Sequence, residues 1–179
     1  MPVSKMQKRQ CRRKANEDDC NTKAVKFGDV ITADHIVTMD PDAASVDGDA
    51  CAVVIVDRAT GWMGCYPTAT KSAEEAKKAL QDFVGNTDSV GCLYTDNAEE
   101  LNIAADELGW RHHTSTPGRP QTNGRAERSV RTVLEGTRTL LEQSKMPLKW
   151  WSRAARTFCL YYNSSQNHQY RKNSMGKQV

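Results

Sequence analysis

The segment Cys51–Val56, with the sequence Cys-Ala-Val-Val-Ile-Val, restricts the possible folds of this chain more than any other. It is a continuous apolar run without polar alternation, which is typical of a strand buried on both faces in the middle of a sheet. A strand of this kind needs a layer of other elements on each side. We therefore expect an α/β domain in which helices flank a central sheet.

Two further strands are predicted around this run. The segment Asp29–Met39 is rich in β-branched and apolar residues but carries Asp34 in its middle, where an aspartate is disfavoured. The segment Trp62–Pro67 returns as a third strand after a turn that begins at Asp57. Asp34 and Asp57 are thus rival functional acids, although a position just before a glycine-containing turn already accounts for Asp57.

Helices and strands alternate after the hairpin. Ser72–Val84 begins with a capping box and is predicted as a helix, Val90–Tyr94 as a short buried strand, and Ala98–Leu108 as a second helix that stops at Gly109. Trp110–Thr114 is predicted as the fifth strand. The sheet should therefore contain five strands with both antiparallel and parallel neighbours.

Asp96 lies in Thr-Asp-Asn directly after the short buried strand. Open α/β sheets place ligand sites at the carboxyl ends of their strands, so this position favours a functional role. The alternative is structural, because either Asp96 or Asn97 could cap the helix that follows.

The stretch Thr114–Arg131 combines a loop rich in proline and glycine with the start of the longest predicted helix. Its one acid, Glu127, stands among four arginines, Arg119, Arg125, Arg128 and Arg131. Acids favour helix N-termini and pair with arginines, which is the ordinary explanation. The alternative is that Glu127 binds a divalent metal while the arginines hold a polyphosphate backbone.

Two long helices complete the predicted domain. The first buries a stripe that contains Val130, Val133, Leu134, Thr137, Leu140 and Leu141. Glu127 lies one turn before Val130, at the edge of this stripe, so we expect it to point at the rim of the sheet. The last helix starts at Pro147, and its predicted buried face comprises Leu148, Trp151, Ala155, Phe158 and Tyr162.

The composition describes a soluble protein of one domain. The 179 residues suffice for a single core, the mean hydropathy is −0.69, and no apolar run reaches the length of a membrane span. The first residues contain no hydrophobic segment typical of a secretory signal. The six cysteines form no Cys-x-x-Cys pair, so we expect buried reduced thiols and a nuclear or cytoplasmic protein that is not secreted.

Charge is distributed unevenly along the chain. Met1–Lys26 holds eight lysines or arginines against three acids, Gly28–Ala50 holds six aspartates and no base, and Lys149–Val179 holds six bases and no acid. Such segregation indicates a polyanion partner, although solvated tails would explain the termini equally well. We expect a flexible basic arm at 1–27, a core at 28–163 and a basic polar tail at 164–179.

The predicted order of elements resembles the ribonuclease H-like fold of retroviral integrases and transposases. Three motifs carry the resemblance: Asp34 in Thr-Ala-Asp-His, Thr-Asp-Asn at 95–97, and Pro-Gln-Thr-Asn-Gly-Arg-Ala-Glu-Arg at 120–128. The third is similar to the Pro-Gln-x-Asn-Gly-x-x-Glu signature of LTR retrotransposon integrases. The segment Leu-Glu-Gln-Ser-Lys-Met-Pro-Leu-Lys-Trp-Trp at 141–151 is most similar to the copia type.

This resemblance implies a catalytic and metal-binding triad of Asp34, Asp96 and Glu127. It also implies two Mg²⁺ ions, replaceable by Mn²⁺, which suit carboxylate oxygens and a phosphoryl transfer. The implied activity is 3′ processing of the element's DNA ends and strand transfer into target DNA, by a homodimer or higher multimer. Contacts to DNA are expected from Arg119, Gln121, Asn123, Arg125, Arg128 and Arg131.

Two alternatives to an active integrase core remain open from the sequence. A decayed or domesticated core could keep the fold and act only as a nucleic-acid-binding module, which the lack of the family's flanking domains would favour. The other alternative is a ribonuclease H-type nuclease.

The sequence after Thr-Asp-Asn departs from the family pattern. Where the family usually has a glycine, the chain carries Ala98, and Glu99 and Glu100 follow it, so further acids are expected near the site.

Overall fold

The structure is a computed structural model that describes residues 24–38, 43–85, 90–114 and 124–175, with side chains through 166. The order of its elements is the predicted one. The strands are β1 (Val30–Val37), β2 (Cys51–Asp57), β3 (Met63–Thr68), β4 (Cys92–Thr95) and β5 (His112–Thr114). The helices are α1 (Ala73–Val84), α2 (Glu99–Leu108), α3 (Gly124–Ser144) and α4 (Trp151–Met175), with a 3₁₀ turn at Leu148–Trp150.

The five strands form one mixed sheet in the order β3-β2-β1-β4-β5. β1 is antiparallel to β2 and parallel to β4, while β2 pairs antiparallel with β3 and β4 pairs parallel with β5. Every residue of β2 is buried, as the apolar run predicts. The expected α/β class and five-stranded mixed sheet are therefore confirmed.

The two faces of the sheet are covered by different pairs of helices. One face packs Ile31, Val53 and Leu93 against α1 and α2. The opposite face packs Val54 and other alternate strand residues against α3 and α4. Because side chains alternate along a strand, Asp34 lies on the same face as Thr32 and Ile36, which is the face of α3.

Local sequence signals fix the ends of the shorter helices. Ser72 caps α1, since its side chain accepts a hydrogen bond from the backbone N–H of Glu75 at 3.3 Å. The Glu75 carboxylate in turn accepts from the backbone N–H of Thr70 at 3.0 Å, two residues before the cap. α2 ends at Gly109, whose φ of 67° is a left-handed conformation that glycine adopts without strain.

α3 and α4 pack closely against each other and against the sheet. Val133, Thr137 and Leu141 of the predicted stripe are buried. A Cβ added at Gly136 would lie 2.1 Å from the ring of Phe158, so the glycine permits the close approach of the two helices. The prediction of Leu148 as a buried residue is wrong, because it is 67% exposed in the 3₁₀ turn before α4 begins.

α4 continues to Met175, past the expected end of the core at Asn163. The first two serines of this extension satisfy their hydroxyls inside the helix, since Ser164 donates to the carbonyl of Leu160 at 2.9 Å and Ser165 to that of Tyr162 at 2.7 Å. Polar composition therefore did not prevent helix formation here.

The cysteines are not all in the expected state. Cys51, Cys65 and Cys159 are free and buried, as predicted, and burial raises the pKa of Cys159 to about 12. Cys92 is disulfide-bonded, and its partner is not among the described residues. The expectation of a fully reduced set is thus wrong for Cys92. Within the ranges that the structure describes, no helix combines the length and apolar character needed to cross a membrane.

Candidate active site

Asp34 lies in the middle of β1 on the face that α3 covers. Its Oδ1 accepts a hydrogen bond from the backbone N–H of His35 at 2.8 Å. Burial, with smaller contributions from the charges of Asp96 and Glu127, raises the pKa of Asp34 to about 6, although the His35 hydrogen bond and the charge of Lys71 oppose this. An acid placed in this way is stabilised by a cation.

Asp96 follows β4 directly, and strand register brings it close to Asp34. Ala33 pairs with Thr95 in the parallel β1–β4 ladder, so the next residue of each strand is an aspartate. The Oδ1 atom of Asp96 accepts from the backbone N–H of Ala98 at 3.2 Å. The N-cap of α2 is Ala98, without a side-chain cap, so neither Asp96 nor Asn97 takes the N-cap position.

Glu127 stands in the first turn of α3. Its side chain is exposed, whereas the neighbouring Ala126 is buried against the sheet. The expectation that Glu127 points at the rim of the sheet is supported by its effect on the pKa of Asp34. Within the described residues, no ion pair joins Glu127 to an arginine, so the ordinary explanation by arginine pairing finds no support there.

The three acids therefore come from three elements, and the charges of Asp96 and Glu127 both act on Asp34. They do not stand as a finished metal site, because no group of three His, Cys, Asp or Glu side chains in the described ranges is close enough to hold an ion. The donor set itself fits a hard divalent cation, which prefers carboxylate oxygens. Binding one ion through all three carboxylates requires them to approach further.

A second group of charges surrounds Asp34. Lys71, just before α1, lies 3.5 Å from the Oε2 atom of Glu100, so one of the extra acids near the site is neutralised by a lysine. Burial, followed by the charge of Lys71, lowers the pKa of the neighbouring His35, while the charges of Glu100 and Asp96 oppose this. Sequence reasoning had not found Lys71, because its partners come from β1 and α2, which only the fold brings together.

His112 of β5 supports the strand end that carries Asp96. Its Nε2 atom lies 2.8 Å from Oγ1 of the fully buried Thr95, which donates its own hydrogen to the carbonyl of Asp96 at 2.6 Å. The hydroxyl has only one hydrogen, so it accepts from His112, whose Nε2 carries the proton. Burial lowers the pKa of His112, in keeping with this neutral form. No sequence motif had indicated this residue.

Asp57, the rival acid, is explained by its structural contacts. It is fully buried at the end of β2, and its carboxylate accepts from the backbone N–H of Gly28 at 3.0 Å and of Thr60 at 2.7 Å. The Thr60 hydroxyl donates a third hydrogen bond at 2.7 Å. These contacts fix the β2–β3 turn to the start of β1 and leave Asp57 away from the three acids' shared environment.

The expected DNA contacts divide into two groups. Arg125, Arg128 and Arg131 are exposed on α3, and none of them forms an ion pair with an acid in the part of the chain that the structure describes. Arg128 donates from Nε to the carbonyl of Gly124 at 2.8 Å. The remaining predicted contacts, Arg119, Gln121 and Asn123, lie outside the described residues.

Retrotransposon polyproteins are among the sequence relatives of the chain. It is 44% identical over 131 residues to the Retrovirus-related Pol polyprotein from transposon TNT 1-94 of Nicotiana tabacum, a match that covers 68% of the chain and 10% of the relative. It is 33% identical over 113 residues to the Pol polyprotein from transposon RE2 of Arabidopsis thaliana, with coverage of 60% and 8%. The chain thus spans about a tenth of the length of these relatives. No protein-family model matches it.

Solved integrase structures share the fold. An intasome of simian T-cell lymphotropic virus in complex with PP2A regulatory subunit B56 gamma aligns with a TM-score of 0.57 at 17% identity, over 76% of this chain and 48% of the other. The catalytic core domain of HTLV-2 integrase in complex with magnesium gives 0.51 at 16% identity, over 72% and 82%. The catalytic core domain of BIV integrase gives 0.50 at 14%, over 80% and 99%.

At these identities the structural matches establish the fold alone, and the expected ribonuclease H-like fold is confirmed. The sequence matches add that the relatives are Pol polyproteins of transposons. Sequence and fold together therefore identify the chain as a homologue of the integrase core of retrotransposon Pol polyproteins.

Proposed function

We propose that the chain is the core of a metal-dependent polynucleotidyl transferase that processes the 3′ ends of retroelement DNA and joins them to target DNA. One observation carries the proposal: carboxylates from β1, the end of β4 and the first turn of α3 share one environment, in which two of them raise the pKa of Asp34. Clusters of acids without a counterion cost stability, so a function that uses a cation explains their presence.

The implied cofactor is Mg²⁺, with Mn²⁺ as a substitute. In its support, the HTLV-2 integrase core was solved in complex with magnesium. Asp34, Asp96 and Glu127 would hold the divalent ions. When bound, these ions would stabilise the charge that develops on the attacking and leaving oxygens of an in-line displacement at phosphorus.

The chain's own residues have distinct tasks in this proposal. The His35 N–H holds one oxygen of Asp34, and the Thr95–His112 pair fixes the strand end before Asp96. No protein side chain serves as nucleophile. Water attacks the phosphodiester in 3′ processing and frees a 3′ hydroxyl, and that hydroxyl attacks target DNA and displaces a new 3′ hydroxyl.

Positive charge on α3 would hold the DNA backbone beside the acids. Arg125, Arg128 and Arg131 lie on the helix that carries Glu127 and are free of acidic partners among the described residues. Arg119, Gln121 and Asn123 precede that helix in sequence, and we propose that they extend the same contact.

We also propose that the chain works as a homodimer or higher multimer built on its core helices. Among the structural neighbours, one is an intasome and another a trimeric form, which supports assembly. On this chain, Leu160 and Tyr161 of α4 are 65% and 66% exposed, and Trp62 before β3 is 41% exposed. Large apolar side chains at one edge of the molecule are suited to an interface.

A second candidate function, a module that binds nucleic acid without catalysis, is favoured by one observation. The three acids do not form a ligating group in the described residues, as would be expected of a core that binds DNA without turnover. The two functions differ in a single measurable property, the making and breaking of phosphodiester bonds.

The test uses a branched DNA that mimics the joined product, with Mn²⁺ present. Wild type should cleave and rejoin it, and Glu127→Gln should lose activity on the order of 10³-fold or more, because a ligand that contributes several kcal/mol to the transition state is gone. Glu135→Gln, an exposed acid on the same helix, is the matched control and should stay active. Inactivity of all three proteins, with DNA binding retained, would instead establish the binding module.

A further inference from the structure

Arg58 is a charged residue in an unusual setting outside the group of acids. It begins the β2–β3 turn, and its backbone N–H donates to the carbonyl of Val30 at 2.9 Å. Its guanidinium carbon lies 4.7 Å from the centroid of the Tyr94 ring, a cation–π contact. The side chain is partly buried, and its Nε has no hydrogen-bond partner within the described residues.

No acid within the described residues neutralises this cation. The carboxylate of the adjacent Asp57 accepts hydrogen bonds from Gly28 and Thr60, and no ion pair of Arg58 is found in the described ranges. Burying a guanidinium with an unused donor costs free energy, which the contact with Tyr94 offsets only in part. An arginine with an unused donor and no acidic partner is suited to bind an anionic ligand.

A second arginine faces the same place. Burial lowers the pKa of Arg58, and the charge of Arg125, in the first turn of α3, lowers it further. Their like charges repel, and no ion pair joins either arginine to an acid within the described residues. An anion bound by both would relieve this repulsion and accept the free donors of each.

The location of this pair relates it to the acids. Tyr94 pairs with Thr32 in the β1–β4 ladder, and Asp34 and Asp96 follow two residues later on each strand. Side chains two residues apart share a face of the sheet and are roughly 7 Å apart along it. Tyr94 therefore lies on the same face of the sheet as Asp34 and Asp96, about 7 Å before Asp96 along its strand, and Arg58 lies over its ring on that face.

We propose that Arg58 and Arg125, with Tyr94 as a platform, bind one backbone phosphate of DNA next to the phosphodiester that the three acids hold. The inference rests on the proposed function for the identity of the ligand. It adds a residue from the β2–β3 turn to the DNA contacts expected from α3 and the loop before it. Because a phosphate carries no base identity, the site positions DNA and does not select sequence.

The test measures binding of the full chain to a labelled duplex DNA in EDTA over a series of salt concentrations, so that neither metal nor catalysis is needed. Arg58→Ala should weaken binding about tenfold, the loss typical of a charged hydrogen bond. The slope of log affinity against log salt should become shallower by about 0.9, because one phosphate is no longer neutralised. Arg58→Lys should keep the slope and lose part of the affinity.

Two further variants separate this site from general electrostatics. Arg156→Ala, an exposed arginine of α4 beside β3, removes the same charge and should bind nearly as wild type does. Arg125→Ala, also exposed, should reproduce the loss of Arg58→Ala, and the double variant should lose less than the product of both losses, since one phosphate is shared. Equal binding by Arg58→Ala, Arg58→Lys and Arg156→Ala would overturn the proposal.

The binding result is independent of the joining assay. A specific loss in Arg58→Ala, with wild type inactive on branched DNA, would keep the phosphate site and reject the transferase. Joining by wild type, with binding unchanged in Arg58→Ala, would keep the transferase and reject the site.

Discussion

The surroundings of Asp34 disfavour its ionised form. It sits in the middle of a strand, beside two other acids, and only one backbone N–H and the more distant Lys71 favour its ionised form. The sequence reveals this residue because an aspartate inside an otherwise β-branched strand has no local explanation. It does not reveal Lys71, Glu100 or His112, since a side chain recruited from a remote element leaves no periodic or spacing signal.

The raised pKa of Asp34 predicts a dependence of stability on pH. Between the ordinary value of 3.8 and about 6, the folded state binds more protons than the unfolded state, so stability falls as pH rises through this window. Without divalent ions, Asp34→Asn should therefore melt roughly 2–4 °C above wild type at pH 7.5, about 1 kcal/mol after allowance for solvent screening. At pH 4 the two should nearly coincide.

Scanning calorimetry in EDTA measures both melting temperatures. Asp82→Asn, which alters an exposed aspartate of α1, is the control and should follow wild type at each pH. Wild type as stable as Asp34→Asn at pH 7.5 would mean that the acids do not strain the fold.

At the level of elements, α3 is the part that connects the core to the chemistry. Its buried stripe fixes it on the sheet, and its first turn brings Glu127 near Asp34 in the middle of β1 and Arg125 near Arg58. Its distance from α4 is set by Gly136, above which the ring of Phe158 lies. The packing of two helices thus determines where the carboxylate of Glu127 lies.

This contact predicts the effect of filling the space at Gly136. Gly136→Ala improves helix propensity by about 1 kcal/mol but places a methyl group inside the Phe158 ring, so the net change should be destabilisation by about 1–3 kcal/mol. Urea unfolding measures the change. The double variant Gly136→Ala/Phe158→Leu should recover part of the loss, whereas equal stability of Gly136→Ala and wild type would show that the helices can separate without cost.

The elements also show where sequence patterns succeed and fail. The apolar run of β2, the cap of α1 and the stop at Gly109 are local signals, and each lies where it was predicted. The end of α4 was not foreseen, because serines that bond within a helix look like a polar tail in sequence. Leu148 was misplaced since a 3₁₀ turn rotates it away from the face that α4 buries.

On the scale of the whole molecule, one face of the sheet gathers the features that the proposed function needs. The three acids lie near the carboxyl end of β4, Arg58 lies over Tyr94 on the same face, and α3 presents exposed arginines. The net charge of +3 gives no hint of this arrangement, because acids and bases far apart in sequence meet only in the fold. A polyanion suits a surface of mixed charge, because arginines can bind it directly and carboxylates can bind it through metal cations.

The central claim is that Asp34, Asp96 and Glu127 together form a binding site for divalent ions. Calorimetric titration with Mn²⁺ tests it without DNA or activity, using wild type, Asp34→Asn, Asp96→Asn and the control Asp82→Asn. Wild type and the control should bind Mn²⁺ saturably, and their melting temperatures should rise with it. Asp34→Asn and Asp96→Asn should lose both effects. Equal Mn²⁺ binding by all four proteins would contradict the account.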